Sequence, residues 1–343
     1  MRIRFIFPIS FLISFFLTPF IINFCFKLGI LDYPDARKIH NQPTPRLGGL
    51  AIYLATMLAL GYNILLSAKL ISIFFAASLI FIISLIDDLR PLSALIRLAA
   101  QVIATAILIF SGIYIEFFPK SAGGLFLNYI LTLVWVVGIT NAVNYLDGLD
   151  GLLILLTLSV LACFGFIGYI SDQFWLLSVI VALAGSLLGF LKYNFPRAKI
   201  FIGDAGSTFI GFILATVSIM GTWAQDNVVK VFVPVFILGV PIFDMCFTTV
   251  MRIKEGKVKS IIDWLEYAGC DHFHHRLLNI GLSRTAAVYL ICVVSLMLGI
   301  SGIILYNSER TDAYLMLLQV CFVFMVISIL MLSGEKNTFL KGR

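Results

Sequence analysis

Charge is scarce in this sequence: only 12% of its 343 residues are charged, while 61% are hydrophobic and the mean hydropathy is +1.04. A soluble domain of this length has no use for so much apolar surface, so that class is excluded. Cysteine is sparse and scattered. Cys25, Cys163, Cys246, Cys270, Cys292 and Cys321 form no CxxC or zinc-finger spacing, which argues against a structural zinc module and a disulfide framework. The net charge of +6 is dispersed over loops and makes no basic patch, so nucleic acid is not an expected partner.

What fills the chain is apolar runs long enough to cross a bilayer core of about 30 Å. Eleven can be marked, at about 6–26, 47–66, 70–86, 93–112, 127–143, 152–170, 174–191, 208–223, 231–250, 285–306 and 312–332. The expected fold is all-α, a polytopic integral membrane protein with about 11 transmembrane helices, in one membrane domain spanning 1–343. The first run follows Arg2 and Arg4 but has no small-x-small cleavage site after it, so it reads as a retained helix. Loops after odd-numbered runs share one side of the membrane, and that side holds 18 of the 24 Lys and Arg residues. The positive-inside rule makes it cytoplasmic. Every polar motif described next falls on that side.

Against this background one stretch stands out, Asn141-Ala142-Val143-Asn144-Tyr145-Leu146-Asp147-Gly148-Leu149-Asp150-Gly151-Leu152. On a helix or a tight helical turn, residues three apart lie close to one face, so Asn141, Asn144, Asp147 and Asp150 are expected to reach toward a common neighbour. Left facing lipid, four such polar groups would cost several kcal/mol. A cation or polar ligand would satisfy them; a helix-ending turn with capping side chains is the structural alternative.

Other polar groups sit at the ends of other runs. The segment 32–49 carries Arg37, Lys38, His40 and Arg46 ahead of Gly48-Gly49, whose amides can approach a phosphate, or else the cations anchor the loop inside the cell. Asp87-Asp88 close the third run, where carboxylates face the wrong end of the helix dipole; chemistry or an ion-pair network with Arg90 and Arg97 accounts for them. Gly203-Asp204-Ala205-Gly206-Ser207 opens the eighth run, a turn suited to an anion on its amides and a counter-cation on Asp204. Asp244 near the end of the ninth run reads as a partner for Arg252 or Lys254. Three of the four histidines, His272, His274 and His275, fall within four residues, followed by Arg276. Phosphate contact or proton handling suits them at least as well as zinc. The preceding 261–267 reads as a short interfacial helix.

Taken in order, Asp-x-Pro-x-x-Arg-Lys-x-His with Pro-x-Pro-Arg-x-Gly-Gly, Asp87-Asp88, Asn-x-x-Asn-x-x-Asp-Gly-x-Asp-Gly-Leu, Gly-Asp-x-Gly-Ser and His-x-His-His-Arg-Leu resemble the polyprenyl-phosphate N-acetylhexosamine-1-phosphate transferases, the group that includes phospho-N-acetylmuramoyl-pentapeptide transferase. The resemblance covers about residues 32–284 and leaves 285–343 as two scaffold helices and a short cytoplasmic tail. It implies transfer of a sugar 1-phosphate from a UDP-sugar to undecaprenyl phosphate, with release of UMP, at the cytoplasmic face of a bacterial inner membrane. Magnesium is the implied cofactor, with manganese as an admitted substitute, and a homodimer is admitted. Carried over by motif, Asn144 and Asp204 hold the metal; Asp147, Asp150 and Phe201 contact the nucleotide, with Arg276 also on the substrate. Asp87 and Asp88 serve the lipid phosphate. His272, His274 and His275 meet the donor's phosphates, and Lys38, His40 and Arg46 assist from the first loop.

The chain also departs from the pattern. Leu89-Arg90-Pro91 follows the acidic pair without the lysine or acid that some members carry, and His-x-His-His resembles the N-acetylglucosamine-type branch more than the muramoyl-pentapeptide one. The implied product starts a surface polysaccharide, O-antigen, teichoic acid or similar. Direct attack by the lipid phosphate is favoured over a covalent aspartyl intermediate, because a phosphate largely ionised at neutral pH needs no further activation. A transporter for an anionic solute is the alternative class; it predicts polar groups near mid-span and matched interruptions in two halves. A non-catalytic scaffold would leave the clusters unexplained.

Overall fold

The computed structural model of the protein describes residues 3–34, 42–64, 67–260, 263, 264, 267, 269 and 271–341. The chain is an all-α membrane protein. Its only strands among the described residues are the two-residue β1 (Leu31–Asp32) and β2 (Thr44–Pro45), paired antiparallel with Leu31 opposite Pro45.

The chain divides into two compact units, Met1–Gly221 and Thr222–Arg343. The first holds α1 (Ile3–Leu28), α2 (Gly48–Ile64), α3 (Ala68–Leu89), α4 (Ala94–Phe110), α5 (Ala122–Tyr145), α6 (Leu152–Ile170), α7 (Phe174–Asn194) and α8 (Gly203–Met220). Helix α8 is its centre, buried without a break from Ala205 to Ser218, and α2, α3 and α5 pack round it. In a bilayer helices gain nothing from leaving lipid for one another, so close backbone approach must drive packing. Small residues supply it. Gly185 and Gly189 of α7 lie so near α1 that a methyl group on either would collide with the carbonyl oxygen of Phe7 or of Phe11. The facing stripe of α1 is Ser10, Ser14 and Thr18, all fully buried.

The second unit holds α9 (Asn227–Ile237), α10 (Gly239–Lys254) and the helices Phe273–Asn279, Arg284–Leu305 and Arg310–Lys341. Asp226 opens α9 by accepting from Val228 N and Val229 N, at 2.8 and 3.3 Å.

Among the described residues eight helices are long and apolar enough to cross a membrane. The pair α9–α10 joins them if taken as one span bent by 78°, and Gly48–Gly61 and Ala94–Phe110 are apolar but shorter. The eleven expected crossings are therefore not all met by length and composition. The expected ninth run, continuous in hydropathy, breaks at Leu238 between its two helices.

Candidate functional site

In the first unit the polar residues meet where α3 ends, α5 ends and α8 begins. Gly203 has φ +77, a left-handed conformation that glycine adopts without strain, and it turns the chain into α8. The first amides of that helix need acceptors. Asp88 provides both of its oxygens: Asp204 N donates to Oδ1 at 3.1 Å and Ala205 N to Oδ2 at 2.9 Å. An anion is expected on this turn, and it is the side chain of Asp88. The carboxylate that stands at the unfavourable end of α3 stands at the favourable end of α8.

Asp87 turns elsewhere. Its Oδ1 accepts from Leu92 N at 2.6 Å and its Oδ2 faces Arg97 Nη1 at 3.3 Å, so the expected ion pair exists for Asp87 with Arg97.

The α-helical spacing of Asn141, Asn144, Asp147 and Asp150 ends with α5 at Tyr145, and the chain goes on in tight turns, Asp147 N donating to Asn144 O at 3.1 Å. Asn141 exchanges two hydrogen bonds with Gln101 of α4, at 2.9 and 3.2 Å, and is taken up in helix packing. Asn144 donates its amide to Asp204 Oδ1 at 3.0 Å and Ser207 Oγ at 2.7 Å. Asp150 accepts from Ala198 N at 3.0 Å. Asp147, outside the helices, has its carboxyl pushed up to about 8 by burial and then by the charges of Asp204, Asp88 and Asp150. Negative charge therefore gathers at this point, and among the described residues Arg46 is a cation that acts on Asp88.

Two loops hold this arrangement. Phe201 N donates to Pro45 O at 2.8 Å, and Gly48 N and Gly49 N donate to Phe201 O and Ile202 O at 2.9 and 2.7 Å. The Gly48-Gly49 amides, expected to approach a phosphate, are thus corrected to backbone ties. Glycine is needed there for contact: a methyl on Gly49 would run into the backbone of Gly206. Arg46 lies between these ties, and its Nε is buried without a hydrogen-bond partner among the described residues. Lys38 and His40 lie outside the described residues, as does most of 261–270.

Asn194, which the sequence reading passes over, joins the two aspartate-bearing segments. It is buried, accepts from Gly151 N and donates to Ile200 O, each at 2.9 Å. A buried amide at the end of an apolar helix is the available signal.

The histidines form a separate centre in the second unit. Asp244 pairs with His272, not with Arg252 or Lys254: its Oδ2 lies 2.8 Å from His272 Nδ1 and its Oδ1 accepts from Phe273 N at 2.5 Å. Arg252 is nearly fully buried and grips Asp271 with Nε and Nη2, at 2.9 and 2.6 Å. Burial raises the Asp271 carboxyl, but the hydrogen bonds and charge of Arg252 outweigh it and hold the group below its ordinary range. Arg276, expected on the substrate, gives Nε to the Asp271 carbonyl at 2.8 Å and lies over the Phe247 ring. His274 is 1% exposed, and neither ring nitrogen has a hydrogen-bond partner among the described residues. Burial above all holds it well below the usual imidazole range, so it is neutral. His275 is half-buried and also lowered, chiefly by burial, against Asp244 and Asp271.

Among the described residues no three His, Cys, Asp or Glu side chains converge as a metal-holding group. The donor chemistry near α8 still fits magnesium. That ion takes oxygen ligands, and one or two carboxylates suffice when substrate phosphates and waters complete the shell.

Residues 70–222 match the model of glycosyl transferase family 4. A probable undecaprenyl-phosphate N-acetylglucosaminyl 1-phosphate transferase of Bacillus subtilis is 32% identical, over 98% of this chain and 94% of its own. A decaprenyl-phosphate N-acetylglucosaminephosphotransferase of Mycolicibacterium smegmatis is 34% identical, over 82% of this chain and 76% of its own. The undecaprenyl-phosphate alpha-N-acetylglucosaminyl 1-phosphate transferase of Escherichia coli O157:H7 is 26% identical over 88% and 83%.

Proposed function

This chain belongs to the glycosyl transferase family 4 phosphotransferases, and from that premise we propose that it moves N-acetylglucosamine 1-phosphate, or a closely related hexosamine 1-phosphate, from a UDP-sugar to undecaprenyl phosphate. An oxygen of the lipid phosphate forms a bond to the sugar-bearing phosphorus of the donor. The bond from that phosphorus to the bridging oxygen breaks, and UMP leaves with the electron pair. The reaction takes place at the cytoplasmic face of the bacterial inner membrane and starts a surface polysaccharide.

The observation that carries this reading is the gathering of Asp88, Asp147, Asp204 and Asn144 at helix ends, with negative charge in excess. Asn144 and Asp204 would hold magnesium. Bound there, the ion would neutralise charge on the donor diphosphate. Asp88 uses both oxygens on the amides of α8, which supports a positioning role for it and direct attack by the lipid phosphate. The unpartnered Arg46 Nε is a donor suited to a phosphate oxygen. Asp147 and Asp150, set by the turn that Asn194 secures, orient the nucleotide together with Phe201. The neutral His274 supplies a hydrogen bond to a donor phosphate. An anion transporter does not account for relatives named as transferases.

Exchange of labelled UMP into UDP-N-acetylglucosamine, dependent on undecaprenyl phosphate, tests the activity. Asp204→Asn removes one charge at constant volume and should abolish the exchange in a folded protein. Normal magnesium-dependent exchange by that variant would remove Asp204 from the metal. Preference for a muramoyl-pentapeptide donor in competition would refute the choice of sugar.

A further inference from the structure

His272 has both ring nitrogens engaged, and the hydrogens at its partners fix which carries a proton. Arg252 Nη2 lies 3.1 Å from His272 Nε2. A guanidinium only donates, so Nε2 must be the bare acceptor. The hydrogen of the neutral ring is then on Nδ1, 2.8 Å from Asp244 Oδ2. The donors of Arg252 fit this assignment: Nη2 carries two hydrogens, one for His272 Nε2 and one for Asp271 Oδ1 at 2.6 Å, while Nε reaches Asp271 Oδ2 at 2.9 Å. The guanidinium also lies 4.7 Å from the centre of the Tyr267 ring, which restrains its plane. Asp244 has a second task, since its Oδ1 accepts the Phe273 amide.

We infer that Asp244 and Arg252 are positioning residues that lock His272 as a neutral Nδ1–H ring, and that His272 in turn acts on the reaction by orienting the histidine-bearing helix. His274 is then the member left to meet a ligand. Its ring lies 6° from parallel to that of His272, with centroids 6.2 Å apart, and its buried nitrogens have no hydrogen-bond partner among the described residues. Asp244 and Arg252 are 1% exposed, so they act through the groups they hold. The inference rests on the transferase reading for its effect on turnover, but not for the state of the ring.

Two measurements on the full-length protein in detergent test it. In protein labelled with 15N-histidine, the signals absent from His272→Asn should show a protonated Nδ1 and a bare Nε2; the opposite tautomer or a doubly protonated ring overturns the assignment. In the UDP-N-acetylglucosamine and undecaprenyl phosphate assay, Asp244→Ala and His272→Ala should each lower turnover by about 10–100-fold, the usual range for partners that orient a reacting group. The double variant should be no worse than the poorer single one, because the two act as one unit. Asparagine at 272 offers one donor and one acceptor and should recover most of the alanine loss. Multiplied losses in the double variant, or no recovery by asparagine, would overturn the relay. A wild-type protein that shows the expected ring but no turnover would refute the transferase reading alone.

Discussion

Asn194→Ala should loosen the aspartate centre without removing any charged group. Asn194 is 3% exposed, and its amide makes one bond to Gly151 N and one to Ile200 O, each at 2.9 Å. A neutral hydrogen bond contributes about 0.5–1.5 kcal/mol net, and a buried partner left unsatisfied costs about 1–3 kcal/mol. Two bonds lost together, with some relief from water entering the gap, put the expected destabilisation at about 2–4 kcal/mol. The turn that carries Asp147 and Asp150 also loses its tie to the segment carrying Phe201. A displacement of about 1 Å at a reacting centre can cost about 10²-fold in rate. Asn194→Asp separates the two bonds, because it keeps an acceptor for Gly151 N but sets a carboxylate against the Ile200 carbonyl. It should be at least as damaging as alanine. The assays are equilibrium unfolding in mixed micelles and UMP exchange. A loss below about 0.5 kcal/mol in the alanine variant, the range of ordinary surface substitutions, with wild-type exchange, would refute the reasoning.

Other expectations follow from the same geometry. Gly185→Val should push α7 off α1, where even a methyl would meet the Phe7 carbonyl oxygen, and lower the unfolding midpoint; an unchanged midpoint would contradict the close packing. Asp147, raised to about 8, is largely protonated at pH 7 in magnesium-free protein, so adding magnesium should release a proton, seen as a binding heat that varies with buffer ionisation enthalpy. No such variation would detach Asp147 from the field of the ion. His274 is lowered in the folded state, so its neutral form contributes stability that is present above pH 6.5 and lost as pH falls toward the folded value. His274→Phe should flatten the fall in stability between neutral and mildly acidic pH, and an equally steep fall would place its cause elsewhere. Cysteines at Gln42 and Lys257 should label from the cytoplasm and one at Asp172 from outside; external labelling at Gln42 would overturn the charge-based topology.

The class of the molecule is legible because it depends on composition alone: apolar runs must become helices where no water can satisfy the backbone. The polar clusters are legible because such residues stand out against those runs. Their partners are not. The spacing of Asn141 and Asn144 says that both lie on α5, but not that Gln101 takes one and Asp204 the other, since those partners come from other helices. Asp88 looks misplaced at the end of α3, and the use of its oxygens appears only when α8 is brought against it, 116 residues further on. Gly48-Gly49 could serve a phosphate or a close contact equally well from sequence, and the nearness of Gly206 decides for contact. The break at Leu238 has no hydropathy signal, because both halves of the bent pair are apolar.

The two centres differ in one respect, the Arg252–Asp271 ion pair of the histidine centre, and the contrast bears on their chemistry. Around His272 the buried cation has a local counterpart, Arg252 facing Asp271, while Asp244 is held by the imidazole N–H of His272 and a backbone amide. A group balanced within the chain changes little when a ligand arrives, which suits positioning. Near α8 the carboxylates are held mainly by neutral donors, Asp88 by two amides and Asp204 by the amide of Asn144. Hydrogen bonds from neutral groups orient a carboxylate without cancelling its charge, so the repulsion that raises Asp147 persists. Arginines in place of those amides would relieve it, but they would also remove the field that draws in a divalent cation. Installing such a cation in the chain, as Ser207→Arg beside Asn144 and Asp204, should therefore lower the Asp147 carboxyl and weaken magnesium binding together. Magnesium affinity that survives a lowered Asp147 would show that the excess of negative charge is not what recruits the ion.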